Sequence, residues 1–112
     1  MTPARRTFGG ALIAGAMLCL APAATAADAA AGKRKASSCA VCHGKDGVSK
    51  RADAPTIAGQ SDVYLASALK AYRDGARHNE MMSVVARTLS DEDIADLAAW
   101  FSSFEVEVRP RL

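Results

Sequence analysis

Cys39-Ala40-Val41-Cys42-His43 is the stretch on which the reading of this chain turns. Its two thiols stand about one helical turn apart, and an imidazole follows directly. Several chemistries use paired thiols at that spacing. A redox-active dithiol needs a preceding strand and a βαβ setting, and no strand pattern of useful length precedes Cys39. A zinc site needs two further Cys or His ligands, and His78 alone remains once Cys19 is assigned, below, to a leader segment. A disulfide between Cys39 and Cys42 leaves His43 without a task. Covalent attachment of a c-type haem uses every member of the motif: each thiol forms a thioether to a vinyl group, and the histidine is held under the iron.

The residues upstream suit that chemistry. Arg5 and Arg6 give a positive start, and no further charge appears before Asp28. Gly9 to Ala21 is an apolar run closed by Pro22, and Ala24-Thr25-Ala26 offers small residues to a signal peptidase. This three-part pattern predicts a cleaved secretory signal over residues 1–26. The run is short for a bilayer span, which takes about 20 residues. Cys19 lies inside it and leaves with the signal. One domain, residues 27–112, is then expected in the periplasm without stable membrane insertion.

The 112-residue chain has 14 basic and 12 acidic residues, and removing Arg5 and Arg6 brings the domain to neutrality. That balance speaks against a nucleic-acid binder. Basic residues predominate up to Arg87 and acidic ones from Thr88 onward, a dipolar arrangement able to steer a docking partner. Alanine accounts for 25 residues and aromatics for only 5%, so large core-filling side chains are scarce. A domain this small needs a staple such as a metal, a disulfide or a cofactor. Cys39 and Cys42 mark where it attaches.

Four helical stretches are readable. The first runs from about Asp28 into Cys39-Ala40. The second starts behind Ser61 as N-cap, places Leu65, Ala68, Leu69 and Tyr72 on one face, and stops at Gly75. A shorter one lies near Met82 to Arg87. The last follows Ser90, with Asp93 completing a capping-box variant and Ile94, Leu97, Ala98 and Phe101 forming its apolar face. Gly44 to Gln60 reads as a loop, and Glu105 to Val108 as a tail. The fold class is all-α.

From Gly32 to Phe104 the chain resembles the class I c-type cytochromes, in particular the short periplasmic monohaem forms and single halves of the dihaem forms. Cys39 to Gly44, Pro55 to Gln60, Tyr64-Leu65, Ala68 to Gly75 and Leu89 to Ala98 carry the likeness. It implies about four helices wrapped around one covalently attached haem c. It also implies a methionine as sixth iron ligand. Met81 and Met82 compete, and counting back from Leu89 as in related chains favours Met82, with Met81 packing beside the haem. The metal ligands are thus expected to be His43 and Met82. By the same resemblance the Pro55 carbonyl accepts a hydrogen bond from His43, and Gly32 meets Trp100 or Phe101 where the first and last helices cross. Arg73, Arg77 and Lys70 are all candidates for the haem propionates, and His78 is expected to be exposed.

These features imply an electron-transfer protein, not an enzyme in the bond-making sense. The expected partners are a redox protein donor and acceptor: a dehydrogenase, a cytochrome complex or an oxidase. A second reading, by similarity to flavocytochrome c sulfide dehydrogenases, makes the chain the haem subunit bound to a flavoprotein. A third, a haem sensor or peroxidase, requires a labile or missing sixth ligand. Arg5-Arg6-Thr7-Phe8 also resembles a twin-arginine export signal, but haem attachment after export requires an unfolded traveller and favours the general secretory route.

Overall fold

The computed structural model describes Ala21 and residues 25–111. The expected signal over residues 1–26 therefore lies almost wholly outside the described residues. Those residues form five helices and no strand: α1 (Ala29–Lys35), α2 (Ser37–His43), α3 (Asp62–Asp74), α4 (Glu80–Ala86) and α5 (Asp91–Ser102). The single first helix read from the sequence is two helices, broken at Ala36, and the second extends through His43. Ser37 and Ser38 follow the break, and serine holds a helix interior weakly because its hydroxyl competes for backbone groups. The whole haem motif consequently sits in a helix of its own.

The helix ends follow local chemistry. Asp28 caps α1, its carboxylate accepting from the Ala30 N–H. Ser61 caps α3 by accepting from Tyr64, and Gly75 ends that helix in the left-handed region. Ser90 and Asp93 close a reciprocal capping box at the start of α5. α4 begins two residues before Met82, because Asn79 accepts from both the Met81 and the Met82 N–H. Residues 105–108 carry no regular structure, as the reading of a tail anticipated.

α1 crosses α5 closely, α3 lies against α5, and α4 packs on α3. The crossing centres on Gly32. A β-carbon there would collide with the Asp96 carbonyl and approach the Trp100 β-carbon to 2.8 Å, so only glycine lets the two backbones meet. Trp100, not Phe101, is the residue opposite. Phe101 turns inward at 3% exposure and joins Ala36, Leu65, Leu97 and Ala98 in the core. That cluster is small because two of its five members are alanines.

Charge reinforces the crossing. Lys35 on α1 reaches Asp96 at 2.7 Å and Asp93 at 2.9 Å, both on α5. Asp96 also accepts the Asp28 backbone N–H at 2.8 Å. A buried carboxylate is tolerable only when its oxygens are satisfied in this way.

Candidate haem site

α2 stops immediately after His43, because Gly44 takes φ 84, a value other residues rarely adopt. His43 is 7% exposed. Its Nδ1 lies 2.7 Å from the Pro55 carbonyl oxygen. A carbonyl can only accept, so Nδ1 carries a proton; in the neutral ring this leaves the lone pair on Nε2, the tautomer a metal ligand requires.

The loop that presents Pro55 is tied down on both sides. The Gly47 carbonyl accepts from Ile57 at 2.8 Å and from Ala58 at 3.1 Å. The Ser49 N–H donates to the Thr56 hydroxyl at 3.1 Å, while the Ser49 hydroxyl donates to the Cys42 carbonyl at 3.1 Å. Gly59 in turn donates to the Phe101 carbonyl at 2.9 Å. The loop thus bridges the motif helix and α5, with Pro55 held between these anchors.

α2, α3, α4, α5 and this loop line a narrow slot with a cavity volume of about 110 Å³. Leu65, Ala68 and Leu69 of α3 and Leu97, Ala98 and Phe101 of α5 make it apolar; Cys39 and His43 reach it from α2, and Met82 from α4. Cys39 and Cys42 are both free thiols. Burial pushes the Cys39 thiol above its ordinary value. Among the described residues no three His, Cys, Asp or Glu side chains gather as a metal-ion group, which gives the zinc reading no ligand set.

The two methionines part company. Met82 lines the slot, whereas Met81 is 61% exposed and faces only a smaller recess with Cys42, Arg51 and Asp53, which Met82 and His43 also border. Met81, expected to pack beside the haem, lies on that recess and not on the slot. Successive residues of a helix point about 100° apart, so one turn cannot aim both thioethers inward. Asn79, which the sequence reading passed over, fixes which one goes in by holding the first turn of α4. A cap residue followed by Glu80 was the available signal.

The candidate cations also separate. Arg73 is bound to Asp74 at 2.9 Å, to Asp91 at 2.8 Å and to the Leu89 carbonyl at 3.3 Å. Lys70 and His78 are exposed and border none of these cavities. Arg77 lines the slot.

Two free thiols one turn apart, an imidazole with a free Nε2, apolar walls and a thioether across four elements fit a covalently attached haem. A small all-helical domain with this site is a haem protein of the cytochrome type. The chain matches the Cytochrome c family over residues 29–105 and belongs to it. It is 51% identical over 83 residues to cytochrome c-554(548) of Halomonas halodenitrificans, covering 71% of this chain and all of that one. It is 37% identical over 109 residues to the thiosulfate dehydrogenase electron acceptor of Thiomonas intermedia, covering 96% of this chain and 48% of that one. The crystal structure of reduced recombinant cytochrome c4 from Pseudomonas stutzeri matches with a TM-score of 0.69 at 37% identity, over 74% of this chain and 48% of that one. The chain therefore spans the whole of one relative and about half the length of the others. Membership makes it an electron-transfer protein with haem c bound through Cys39 and Cys42.

Proposed function

We propose that this protein is a periplasmic monohaem one-electron carrier in which His43 and Met82 would hold the iron. The observation that carries the reading is the convergence of His43 and Met82 on one apolar slot beside two free cysteines. Haem supplies a one-electron ferrous–ferric couple. The chain's residues decide how that couple behaves. Pro55 orients the His43 ring and strengthens it as a ligand through the Nδ1 hydrogen bond. On the iron, the soft thioether of Met82 would favour the ferrous state and raise the potential. Leu65, Leu69, Leu97 and Phe101 keep water from the slot. If His43 and Met82 both held the iron, the bound haem would supply electron transfer and not a site for a substrate, which suits transfer over catalysis or sensing.

The apolar stretch and small-residue site within residues 1–26 support periplasmic location. No helix among the described residues is long and apolar enough to cross a membrane. A dehydrogenase is the proposed donor, in keeping with a relative named as the electron acceptor of one, and a cytochrome complex or oxidase the proposed acceptor.

Purified exported protein should give a c-type reduced spectrum, one reversible one-electron wave in voltammetry, and little carbon monoxide binding when reduced. Ready carbon monoxide binding at neutral pH would overturn Met82 ligation and return the sensor reading. Stoichiometric copurification with a flavoprotein would replace the free carrier with the flavocytochrome subunit.

A further inference from the structure

We propose that Met81 is a reserve sulfur ligand, kept off the haem slot by a clasp that Asn79 and Ser83 close on the first turn of α4. The inference rests on the reading in which His43 and Met82 would hold the iron.

Two methionines adjacent in sequence offer the same soft sulfur, so ligand chemistry does not choose between them. Position has to. Met81 and Met82 both border the recess that His43 also lines, and of the two only Met82 continues onto the slot. Methionine is long and unbranched, so a turn of its backbone carries the sulfur far.

Packing fixes only the far end of α4. Ala86, at 0% exposure, is the one buried residue of this helix. Residues 74–80, which lead into and begin it, are all exposed. Among the described residues α3 is the only helix against which α4 packs. The direction of the first turn is therefore set by hydrogen bonds, and they converge on Asn79. Its Oδ1 accepts from the Met81 N–H at 3.1 Å and from the Met82 N–H at 3.0 Å. Its own N–H donates to the Ser83 hydroxyl at 3.1 Å, and its carbonyl accepts from the Ser83 N–H at 2.9 Å. Asn79 and Ser83 thus close on each other around the two methionines and pin both of their amides.

Successive helical residues diverge by about 100°, so the closed clasp aims Met82 at the slot and Met81 away from it. Helix ends fray from the terminus inward. Once the clasp opens, Met81 leaves the helix before Met82 does, beside the recess that His43 shares. The site then has two methionine settings, and the clasp keeps one of them populated.

The test compares spectra of the oxidised holoprotein for wild type, Met82→Ala, Asn79→Ala/Met82→Ala and Asn79→Asp/Met82→Ala. Met82→Ala should lack the far-red methionine band. The band should return in Asn79→Ala/Met82→Ala and vanish again when Met81→Ala is added. Asn79→Asp keeps the acceptor oxygen, so Asn79→Asp/Met82→Ala should stay without the band. Absence of the band from Asn79→Ala/Met82→Ala overturns the proposal, and a lower melting temperature beside that absence marks a helix cap only. A returned band that persists after Met81→Ala is added overturns it as well. If Asn79→Ala/Met82→Ala takes up no haem, proton NMR of reduced Asn79→Ala replaces it. Two shifted methyl signals of iron-bound methionine are expected there, one of them absent once Met81→Ala is added, and a single signal overturns the proposal. Failure of the ligand reading shows separately, as a wild type without the band or a Met82→Ala variant that keeps it.

Discussion

Lys35 on α1 holds Asp96 and Asp93 on α5 with one ammonium, at 2.7 and 2.9 Å, and Asp96 is 4% exposed while it does so. The two acids are three residues apart, on one face of α5, and the cation comes from a helix 61 residues away in sequence. Asp96 completes its coordination with the Asp28 N–H. The first and last helices are therefore joined by a buried acid as well as by the Gly32 contact.

This arrangement sets an acid limit on stability. Lys35 holds both carboxyls below their ordinary value of 3.8, Asp96 with help from Asp28 and Asp93 with help from Ser90; Asp93 is brought to about 2. A carboxyl depressed in the folded state contributes stability above its unfolded value and loses it as pH falls towards the folded one. Thermal melts of the holoprotein should hold steady above about pH 5 and drop between pH 4 and 2. Asp96→Asn should melt several degrees lower at pH 7 and converge on wild type in acid. Parallel curves at all pH values would exclude the ion pair as the cause.

Gly32→Ala should be costly although alanine is the better helix former. The new methyl meets the Asp96 carbonyl and the Trp100 β-carbon, so α1 must lift from α5. Overpacking of this kind costs about 1–3 kcal/mol, or roughly 4–8 °C of melting temperature per kcal/mol in a domain this size. Differential scanning calorimetry reads it directly. An unchanged melting temperature would mean that the crossing yields easily.

Met82→Ala should abolish the far-red band of the oxidised protein, lower the reduction potential and open the iron to carbon monoxide. Met81→Ala should leave all three close to wild type, because its side chain is 61% exposed. Visible spectra of the two variants side by side decide between the ligands. Survival of the band in Met82→Ala would transfer the assignment to Met81.

Replacing Cys39 and Cys42 together by serine should give haem that extracts into acidified solvent, whereas haem of the wild type stays with the chain. The same variant should be markedly less helical by circular dichroism when haem is removed. Its core relies on Leu65, Leu97 and Phe101, with alanines between them, and such a core is thin for a domain of this length.

Much of this molecule was readable from local signals, and the exceptions share a cause. Ser61, Gly75 and the Ser90–Asp93 box announced α3 and α5 because capping acts over three or four residues. The haem motif was legible because its three side chains are adjacent in sequence. The break at Ala36 was not, since alanine and lysine on either side favour one continuous helix and only the two serines weaken it. The Lys35–Asp96 pair was invisible because nothing local distinguishes a buried aspartate from the exposed acids beside it.

The crossing of α1 and α5 also orders events in the life of the chain. A polypeptide emerges from the ribosome N-terminus first, so the paired thiols of α2 appear long before the helix that α1 must lean on. Until Asp96 and Trp100 arrive there is nothing to close the motif in, and loops of this length delay their contacts during folding. In a chain that crosses the membrane unfolded, Cys39 and Cys42 therefore stay open until α1 and α5 meet on the far side, and that meeting seals the door.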